Sequence, residues 1–251
     1  MAGTARQIDS LLSRVYIACM TDIAKKIFII GAGGHAKVVL SVAQACGFKV
    51  TALLDDAPAK HGTQVLGVPV TSDLTSLPDH AQAIAGIGLN ATRRAVVARL
   101  PDSTNWLTLI HPSAWVGPEV EIGRGSVIMA GSIVQPGTKI GAHSIINTGA
   151  IVDHDCTIGD FAHVAPGAHI CGGVKIEEGA FVCVGVSIAP YLQIGAWSVI
   201  AAGAVVLQNI APQVLAAGVP TKIKKKLTGC AKPSGSLTAS KARGQTPLSH
   251  W

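Results

Sequence analysis

The most constraining feature of this sequence is a branched aliphatic residue at every sixth position from Val116 to Val206. All sixteen positions of this series hold Ile or Val. An amphipathic helix repeats near every 3.6 residues and an isolated strand every two, so neither explains a period of six over about ninety residues. The period predicts a solenoid in which each unit is one short β segment and a turn, with three units closing a triangular coil of about 18 residues.

The residues around the branched position predict how the solenoid packs. Four residues after it stand mostly small side chains, which fit a narrow interior: Ser126, Ser132, Thr138, Ser144, Ala150, Cys156, Ala162 and Ala168. Glycine directly follows the branched residue at several positions, and we expect unusual backbone conformations there: Gly117, Gly123, Gly141, Gly159 and Gly195. Sixteen units make about 5.3 coils, and at ~4.8 Å per coil the prism would stand roughly 25 Å tall.

A glycine-rich turn precedes the repeat. Residues 25–31 predict a buried strand that runs into GAGGHAKVVLSVAQAC, a turn followed by a helix. Gly31, Gly33 and Ala36 fit the G-x-G-x-x-G/A pattern, in which backbone N–H groups at the helix start receive phosphate oxygens. Gly34 and His35 belong to the same turn and are further candidate contacts. The alternative is that these glycines only tighten the connection between strand and helix.

A second predicted strand, KVTALLDD, ends in Asp55 and Asp56 about twenty residues after the turn, where a carboxylate accepts from a ribose or a base. Helix capping or solvation is the alternative for both. Residues 81–88 predict a further strand, and the following helix brings Asn90 and Arg93 as candidate phosphate contacts or as a solvated helix start. About ninety residues before the repeat are too few for a full dinucleotide fold, so we expect a mononucleotide-sugar site.

Composition and charge exclude several classes. Only 14% of residues are charged, 49% are hydrophobic and 28 are Gly, which suits a tightly turned aliphatic repeat. The net charge of +6 lies largely in KIKKK at 222–226 and the tail after it, without the basic stripe and interleaved aromatics of a nucleic-acid surface. No uninterrupted apolar run reaches the ~18 residues of a membrane span. Six cysteines without a CxxC pair indicate reduced thiols and a cytoplasmic protein.

These features predict four segments. Residues 1–24 form an N-terminal extension, 25–110 a Rossmann-like nucleotide-sugar-binding domain, 111–226 a β-helix, and 227–251 a polar tail rich in Ser, Gly and Lys that we expect to be disordered.

The order of these motifs is more specific than the repeat alone. Over about residues 25–226, GAGGHAKVV, LLDD and the long run of hexads from HPSAWVG to VCVGVSIAP are similar to the sugar-nucleotide N-acetyltransferases of bacterial surface glycan synthesis. That subfamily of hexapeptide-repeat acyltransferases also includes sialic acid O-acetyltransferases. The resemblance implies a left-handed parallel β-helix assembled as a homotrimer. It also implies a nucleotide-linked amino sugar held by the front domain and acetyl-CoA lying between neighbouring subunits.

The resemblance assigns candidate catalytic residues. His154, within VDHDC, matches the family's general base, and an imidazole of ordinary pKa near 6.5 suits proton removal from an amine. Asp155 is the candidate that orients it, at a position where the family more often has Glu. His163 matches a second histidine of the family that hydrogen-bonds the thioester. Gly172 lies one coil after His154, so its N–H is expected beside the base and toward the developing oxyanion.

The closing segment LAAGVPTKIKKK also resembles the family and implies contacts with CoA. The candidate residues are Ala202, Gly218, Pro220 and Lys222, of which the lysine is suited to neutralise a CoA phosphate. A solvated lysine run is the alternative for that residue.

A zinc site is the main competing interpretation of the histidines, because β-helix trimers resembling γ-class carbonic anhydrases bind zinc between subunits. That class places two ligands five residues apart. No two of His143, His154, His163 and His169 have this separation, so we expect no metal.

The sequence therefore predicts an acetyl-CoA-dependent N-acetyltransferase. Its expected acceptor is the C4 amine of a nucleotide-linked 4-amino-4,6-dideoxyhexose, which attacks the thioester directly with His154 as the base. Two alternatives stay open: an O-acetyltransferase of the sialic acid type, and a non-catalytic scaffold that binds nucleotide sugars.

Overall fold

The computed structural model describes residues 26–71, 74 and 77–227. The predicted N-terminal extension and, except for residue 227, the predicted tail lie outside the described residues. Within this described part, a front α/β unit is followed by a β-helix. None of the helices there is both long and apolar enough to cross a membrane.

The front unit is a six-stranded sheet with two α-helices. Its elements are β1 (Lys26–Ile30), α1 (Gly34–Ala45), β2 (Lys49–Leu54), a 3-10 turn (Pro58–Lys60), β3 (Gln64–Val65), β4 (Val68–Thr71), β5 (Gln82–Ala85), α2 (Asn90–Val97) and β6 (Asn105–Trp106). The strand order is β3-β4-β2-β1-β5-β6, and the pairs are parallel except for the β3–β4 hairpin. Because β2 and β5 flank β1, the carboxyl ends of these three strands meet at a switch point, where open α/β sheets bind ligands.

The β-helix consists of three sheets of two-residue strands, and we number these sheets I to III. Sheet I contains β7 (Leu109–Ile110), β10 (Val127–Ile128), β13 (Ile145–Ile146), β16 (His163–Val164), β19 (Phe181–Val182) and β22 (Val199–Ile200), and is closed by β24 (Val214–Ala217) and β25 (Lys222–Lys226). Sheet II contains β8 (Trp115–Val116), β11 (Ile133–Val134), β14 (Ile151–Val152), β17 (His169–Ile170), β20 (Ser187–Ile188) and β23 (Val205–Val206). Sheet III contains β9 (Glu121–Ile122), β12 (Lys139–Ile140), β15 (Thr157–Ile158), β18 (Lys175–Ile176) and β21 (Gln193–Ile194).

From β7 to β23, successive strands of each sheet pair in parallel at a separation of 18 residues, as in the pairing of Ile145 with His163. This register stacks the predicted Ile/Val series in the interior, where all members are buried except the first two, Val116 and Ile122, which are partly buried. The predicted fold, an α/β unit followed by a left-handed parallel β-helix, is therefore confirmed.

The small residues four positions after the branched one are also buried, as expected. The hydroxyls of Thr138 and Ser144 donate to backbone carbonyl oxygens of the coil above, Thr138 Oγ1 to Asp153 O and Ser144 Oγ to Gly159 O, both at 2.8 Å. These bonds satisfy polar atoms that would otherwise be buried without a partner.

The reason expected for the glycines that follow the branched residue is wrong. Gly159, for example, does not have a positive φ; a Cβ there would lie 2.6 Å from the backbone N of Glu178 in the next coil. Close approach of successive coils therefore excludes a side chain at this position. Positive φ, between 55° and 75°, occurs two residues further on, where Gly alternates with Glu119, His143, Asp155, Phe161, Tyr191 and Trp197.

The front unit packs on the outer face of sheet I. Val127 and Ile145 point outward from this sheet, yet each is only 1% exposed because the helix α1 and strand β1 side of the front unit covers them. Strands β10 and β13 are consequently buried on both faces, which fixes the front unit against this side of the prism.

A buried arginine joins the two units. Arg93 of α2 is 1% exposed, and its guanidinium donates to the carbonyl oxygens of His143 at 2.8 Å and Phe161 at 2.7 Å in the β-helix. It also donates to the carbonyl oxygens of Ile87 and Gly88 in the front unit, at 2.9 and 3.1 Å. Burial lowers the pKa of Arg93 to about 9, so the group remains charged at neutral pH.

The sequence interpretation of Asn90 and Arg93 as phosphate contacts is therefore corrected. Asn90 is also buried, donates to the carbonyl oxygens of Gly179 and Ala180 at 3.1 Å, and accepts from Arg93 at 3.1 Å. Both side chains are fully occupied in holding the two units together.

Replacing Arg93 tests this junction. We expect Arg93→Met to lower the free energy of unfolding by about 3 kcal/mol, because buried carbonyl oxygens lose their donor. The matched control is Arg99→Met, which removes an exposed ion pair with Asp56 and should cost less than about 1 kcal/mol. Urea unfolding of both variants measures the difference, and equal midpoints would contradict the assigned role.

Candidate active site

His154 and Asp155 form a hydrogen-bonded pair on the turn between sheets II and III. We call this edge corner II–III; it comprises residues 117–120, 135–138, 153–156, 171–174 and 189–192. His154 Nδ1–H donates to Asp155 Oδ2 at 2.8 Å, and the imidazole side chain is 53% exposed. Asp155 has φ of 58°, a left-handed conformation that Asp tolerates better than most residues. This backbone turns its carboxylate back onto the imidazole.

Two carboxylates act on the acid–base behaviour of this histidine. The hydrogen bond to Asp155 raises the pKa of His154 above its ordinary value of 6.5, and the negative charge of Asp153 raises it further. The neutral imidazole, which alone can accept a proton, therefore forms as the pH rises through this raised pKa. Since Nδ1 donates to Asp155, Nε2 is the atom left to accept a proton.

Nε2 faces Gly172, as expected from the 18-residue coil. A Cβ on Gly172 would lie 2.6 Å from His154 Nε2, so only glycine leaves room for the imidazole ring. The equivalent position is proline in three other coils, at Pro118, Pro136 and Pro190. The coil hydrogen bonds therefore do not need an N–H at this position, and the N–H of Gly172 donates to no acceptor among the described residues.

The front unit contains a cavity of about 670 Å³ at the carboxyl ends of β1, β2 and β5. Its lining includes most of the residues predicted for the nucleotide sugar together with several that sequence reasoning missed: Gly31, Gly33, Gly34, His35, Asp55, Asp56, Lys60, Thr92, His163 and Phe181. The strand ends and the start of α1 thus converge on one space large enough for a small ligand.

The glycines of the turn have different reasons. Gly31 has φ of 102°, and a Cβ there would lie 2.9 Å from Ile87, so the fold itself requires glycine. At Gly33 and Gly34, by contrast, a Cβ would have no heavy atom within 4 Å. Room for a ligand, rather than packing, is a physical reason for glycine at these two positions, as phosphate-binding turns require.

Asp55 has a structural role in this cavity. Its carboxylate accepts from the backbone N–H of Ala32 at 2.7 Å and of Ala57 at 2.9 Å, and from Lys60 Nζ at 2.7 Å. Burial alone would raise the pKa of Asp55, but these hydrogen bonds outweigh it and lower the pKa. Asp55 therefore holds the glycine turn, while Asp56 forms an exposed ion pair with Arg99 at 2.7 Å.

Two neutral histidines line the cavity. His35 Nε2 is buried without a hydrogen-bond partner among the described residues, and burial followed by the charge of Arg93 lowers its pKa to about 4. His163 lies with its ring centroid 5.9 Å from that of His35, and burial with the same charge lowers its pKa to about 3. Arg93 thus acts on the cavity through its positive field, although its own donors are occupied.

His163 is held in one tautomer. Gly88 O can only accept, so His163 Nδ1–H donates to it at 3.1 Å, and Nε2 accepts from Asn147 Nδ2 at 3.0 Å. Phe181 stacks on the ring at a centroid distance of 4.9 Å. Within one chain, His163 therefore lines the cavity of the front unit and does not surround His154.

The residues predicted for CoA lie elsewhere again. Ala202 is exposed on the turn between sheets I and II, and Gly218 and Pro220 precede the exposed Lys222 at the closing end of the β-helix. Thr221 fastens this end, because its hydroxyl donates to Val205 O at 2.7 Å.

The three predicted subsites thus occupy different sides of the prism. The cavity of the front unit adjoins sheet I, His154 stands at corner II–III on the opposite edge, and the CoA candidates lie on the turn between sheets I and II and at the closing end of the β-helix. The interior between them is filled by the buried aliphatic stack.

The cysteine on the same turn as His154 is not suited to form an acyl-enzyme. Burial raises the pKa of the Cys156 thiol to about 11, and its Sγ donates to Cys171 O at 3.2 Å, so the thiolate needed for an acyl-enzyme is disfavoured. Among the described residues, no group of three or more His, Cys, Asp and Glu side chains is arranged to hold a metal ion.

The pair His154–Asp155 makes a measurable prediction. Wild-type protein should show a His154 pKa above 6.5 in an NMR pH titration, and Asp155→Asn should lower it because the hydrogen bond is its largest cause. Asp153→Asn is the matched control and should produce a smaller decrease. A titration unchanged by Asp155→Asn would show that this carboxylate does not act on the imidazole.

Comparison with known proteins relates these sites to a family. Residues 26–100 match the family described as the PglD N-terminal domain. UDP-N-acetylbacillosamine N-acetyltransferase of Bacillus subtilis is 42% identical over 113 residues, which cover 42% of this chain and about half, 52%, of that protein.

Solved structures extend the similarity over most of the described chain. The structure of PerB from Caulobacter crescentus in complex with CoA and GDP-perosamine is 40% identical, with a TM-score of 0.75 over 82% of this chain and 100% of that one. The acetyltransferase domain of PglB from Neisseria gonorrhoeae, in complex with acetyl coenzyme A, is 35% identical, with a TM-score of 0.75 over 80% of this chain and 100% of that one. The chain therefore belongs to the hexapeptide-repeat family of sugar-nucleotide N-acetyltransferases.

Proposed function

We propose that this protein transfers the acetyl group of acetyl-CoA to the C4 amine of a nucleotide-linked 4-amino-4,6-dideoxyhexose. The observation that carries the proposal is the exposed His154–Asp155 pair, whose free Nε2 lies against Gly172, a residue whose N–H donates to no acceptor among the described residues. The relatives support the substrate class, since PerB was solved with CoA and GDP-perosamine and the Bacillus subtilis relative is named for a UDP-linked amino sugar.

The cavity of the front unit supports the nucleotide part of the substrate. Gly33 and Gly34 leave space at the start of α1, where backbone N–H groups and the helix dipole attract a phosphate. The buried charge of Arg93 adds a positive field, and His35 offers an unpartnered ring nitrogen. The sugar would then extend from the cavity mouth with its amine directed outward.

The chemistry follows from the geometry of the pair. The amine attacks the thioester carbonyl carbon while His154 Nε2 takes an amine proton, and Asp155 stabilises the imidazolium that forms. As the tetrahedral intermediate collapses, the C–N bond is retained, the C–S bond breaks, and the imidazolium returns the proton to the CoA thiolate. One imidazole thus removes and returns the proton. Because the amine attacks the thioester directly, no acyl-enzyme is needed, in keeping with the high pKa of Cys156.

The N–H of Gly172 is suited to the negative charge of the intermediate. It belongs to the residue against which the imidazole packs, and the prolines at equivalent positions indicate that the fold has no other use for it. A donor already fixed in the coil does not have to reorganise when the oxyanion forms.

The positions of the subsites favour an assembly in which neighbouring copies complete each site. One chain separates the nucleotide cavity from His154 by the full, aliphatic width of the prism. A closed trimer would bring the edge of one prism against the side of the next, so that a sugar held by one copy reaches the base of another. His163 and the CoA candidates would contribute from the facing surfaces.

A substrate panel tests the function. Wild-type protein should release CoA with UDP-, dTDP- or GDP-linked 4-amino sugars and not with free sialic acid or other hydroxyl acceptors. His154→Ala should lower kcat by about 10²–10⁴-fold, since a positioned general base contributes that much. His169→Ala, which removes an exposed histidine from the next coil, is the matched control and should stay within about twofold.

Turnover of His154→Ala close to that of wild type would overturn the role of the base. Binding of a sugar nucleotide without any release of CoA would instead favour the scaffold, and turnover confined to hydroxyl acceptors would favour an O-acetyltransferase.

A further inference from the structure

Tyr191 is the most exposed large hydrophobic side chain among the described residues. It leaves 78% of its surface exposed, although its backbone has φ of 59°. A bulky residue with positive φ is an outlier that is strained relative to glycine, and such strain concentrates at functional positions. Glycine occupies the same position in the coil below, at Gly173.

The aromatic residues with positive φ on the neighbouring corner have a visible reason. Phe161 stacks on His143 at a centroid distance of 5.1 Å, and Trp197 lies under the Arg94 guanidinium at 4.2 Å. Both belong to the junction with the front unit. Tyr191 stands on the edge of the prism opposite sheet I, on which the front unit packs, so this reason does not apply to it.

The phenol ring of Tyr191 and the imidazole ring of His154 lie against two consecutive residues of one coil. A Cβ on Gly173 would collide with the Tyr191 ring, and a Cβ on Gly172 would collide with the His154 ring. The two rings therefore lie over adjacent glycines: the His154 ring comes from the coil below and the Tyr191 ring from the coil above. The backbone is tied into this arrangement, because Tyr191 N–H donates to Gly172 O at 3.0 Å.

We infer that the Tyr191 ring binds the apolar face of the acceptor hexose and positions its amine at Nε2. This inference rests on the proposed function. The amine must approach within about 3 Å of Nε2 to lose its proton, so the sugar ring attached to it comes to lie over the glycine pair. A deoxyhexose carries C–H groups and a methyl group there, and an aromatic ring is the surface that suits them.

Three variants test this inference by steady-state kinetics of CoA release. Tyr191→Gly should raise KM for the amino sugar nucleotide by about tenfold or more, while KM for acetyl-CoA changes less than about twofold. Tyr191→Phe, which keeps the ring, should retain wild-type constants. Glu119→Gly relieves the same backbone conformation four coils below Tyr191 and should leave both KM values unchanged.

Thermal unfolding separates binding from folding. Because glycine relieves the positive φ, Tyr191→Gly should raise Tm, by roughly 2–4 °C, while it weakens the sugar complex. An active Tyr191→Gly variant with unchanged KM for the sugar nucleotide, or with the increase in KM for acetyl-CoA instead, would overturn the inference alone. A wild-type protein without turnover on any amino sugar nucleotide would overturn the proposed function and this inference together.

Discussion

The parallel pairing of strands 18 residues apart is the constraint on which the other features of this protein depend. Each coil buries its Ile and Val side chains only if it stacks in register on the next, and successive coils approach so closely that Gly159 has no room for a side chain. The same register brings Gly172 over His154 and Tyr191 over Gly173. The stacking of the aliphatic core thus determines which backbone groups of the next coil surround His154.

A second constraint is the buried guanidinium that joins the two units. Arg93 binds carbonyl oxygens of both, so the front unit has one orientation against sheet I. Together with burial, its charge lowers the pKa of His35 and His163, which keeps both rings neutral in the cavity of the front unit. A residue that is buried at the junction therefore affects the electrostatics of a binding site that it does not line.

Much of the fold was predictable from two patterns. A period of six over about ninety residues indicates stacked β coils, and a glycine turn between a strand and a helix is typical of a parallel α/β sheet. The reason for the glycines after the branched residue could not be predicted, because it depends on how closely the next coil approaches. Arg93 was misassigned because its partners in the β-helix lie 50 to 69 residues away in sequence. Tyr191 was overlooked. It occupies the same position in its coil as Gly137 and Gly173, and those glycines could have indicated a positive φ there.

The central claim is that a sugar held by one copy of the chain reaches the base of another, and mixing two inactive variants tests it most directly. His154→Ala keeps the cavity but lacks the base, whereas Gly33→Trp keeps the base and fills the open space of the cavity. Each variant alone should be nearly inactive, and randomly mixed assemblies should recover about a quarter of wild-type turnover, because one site in four combines an intact cavity with an intact base from its neighbour. Mixed assemblies that form, as native mass spectrometry can verify, but recover no activity would contradict the account.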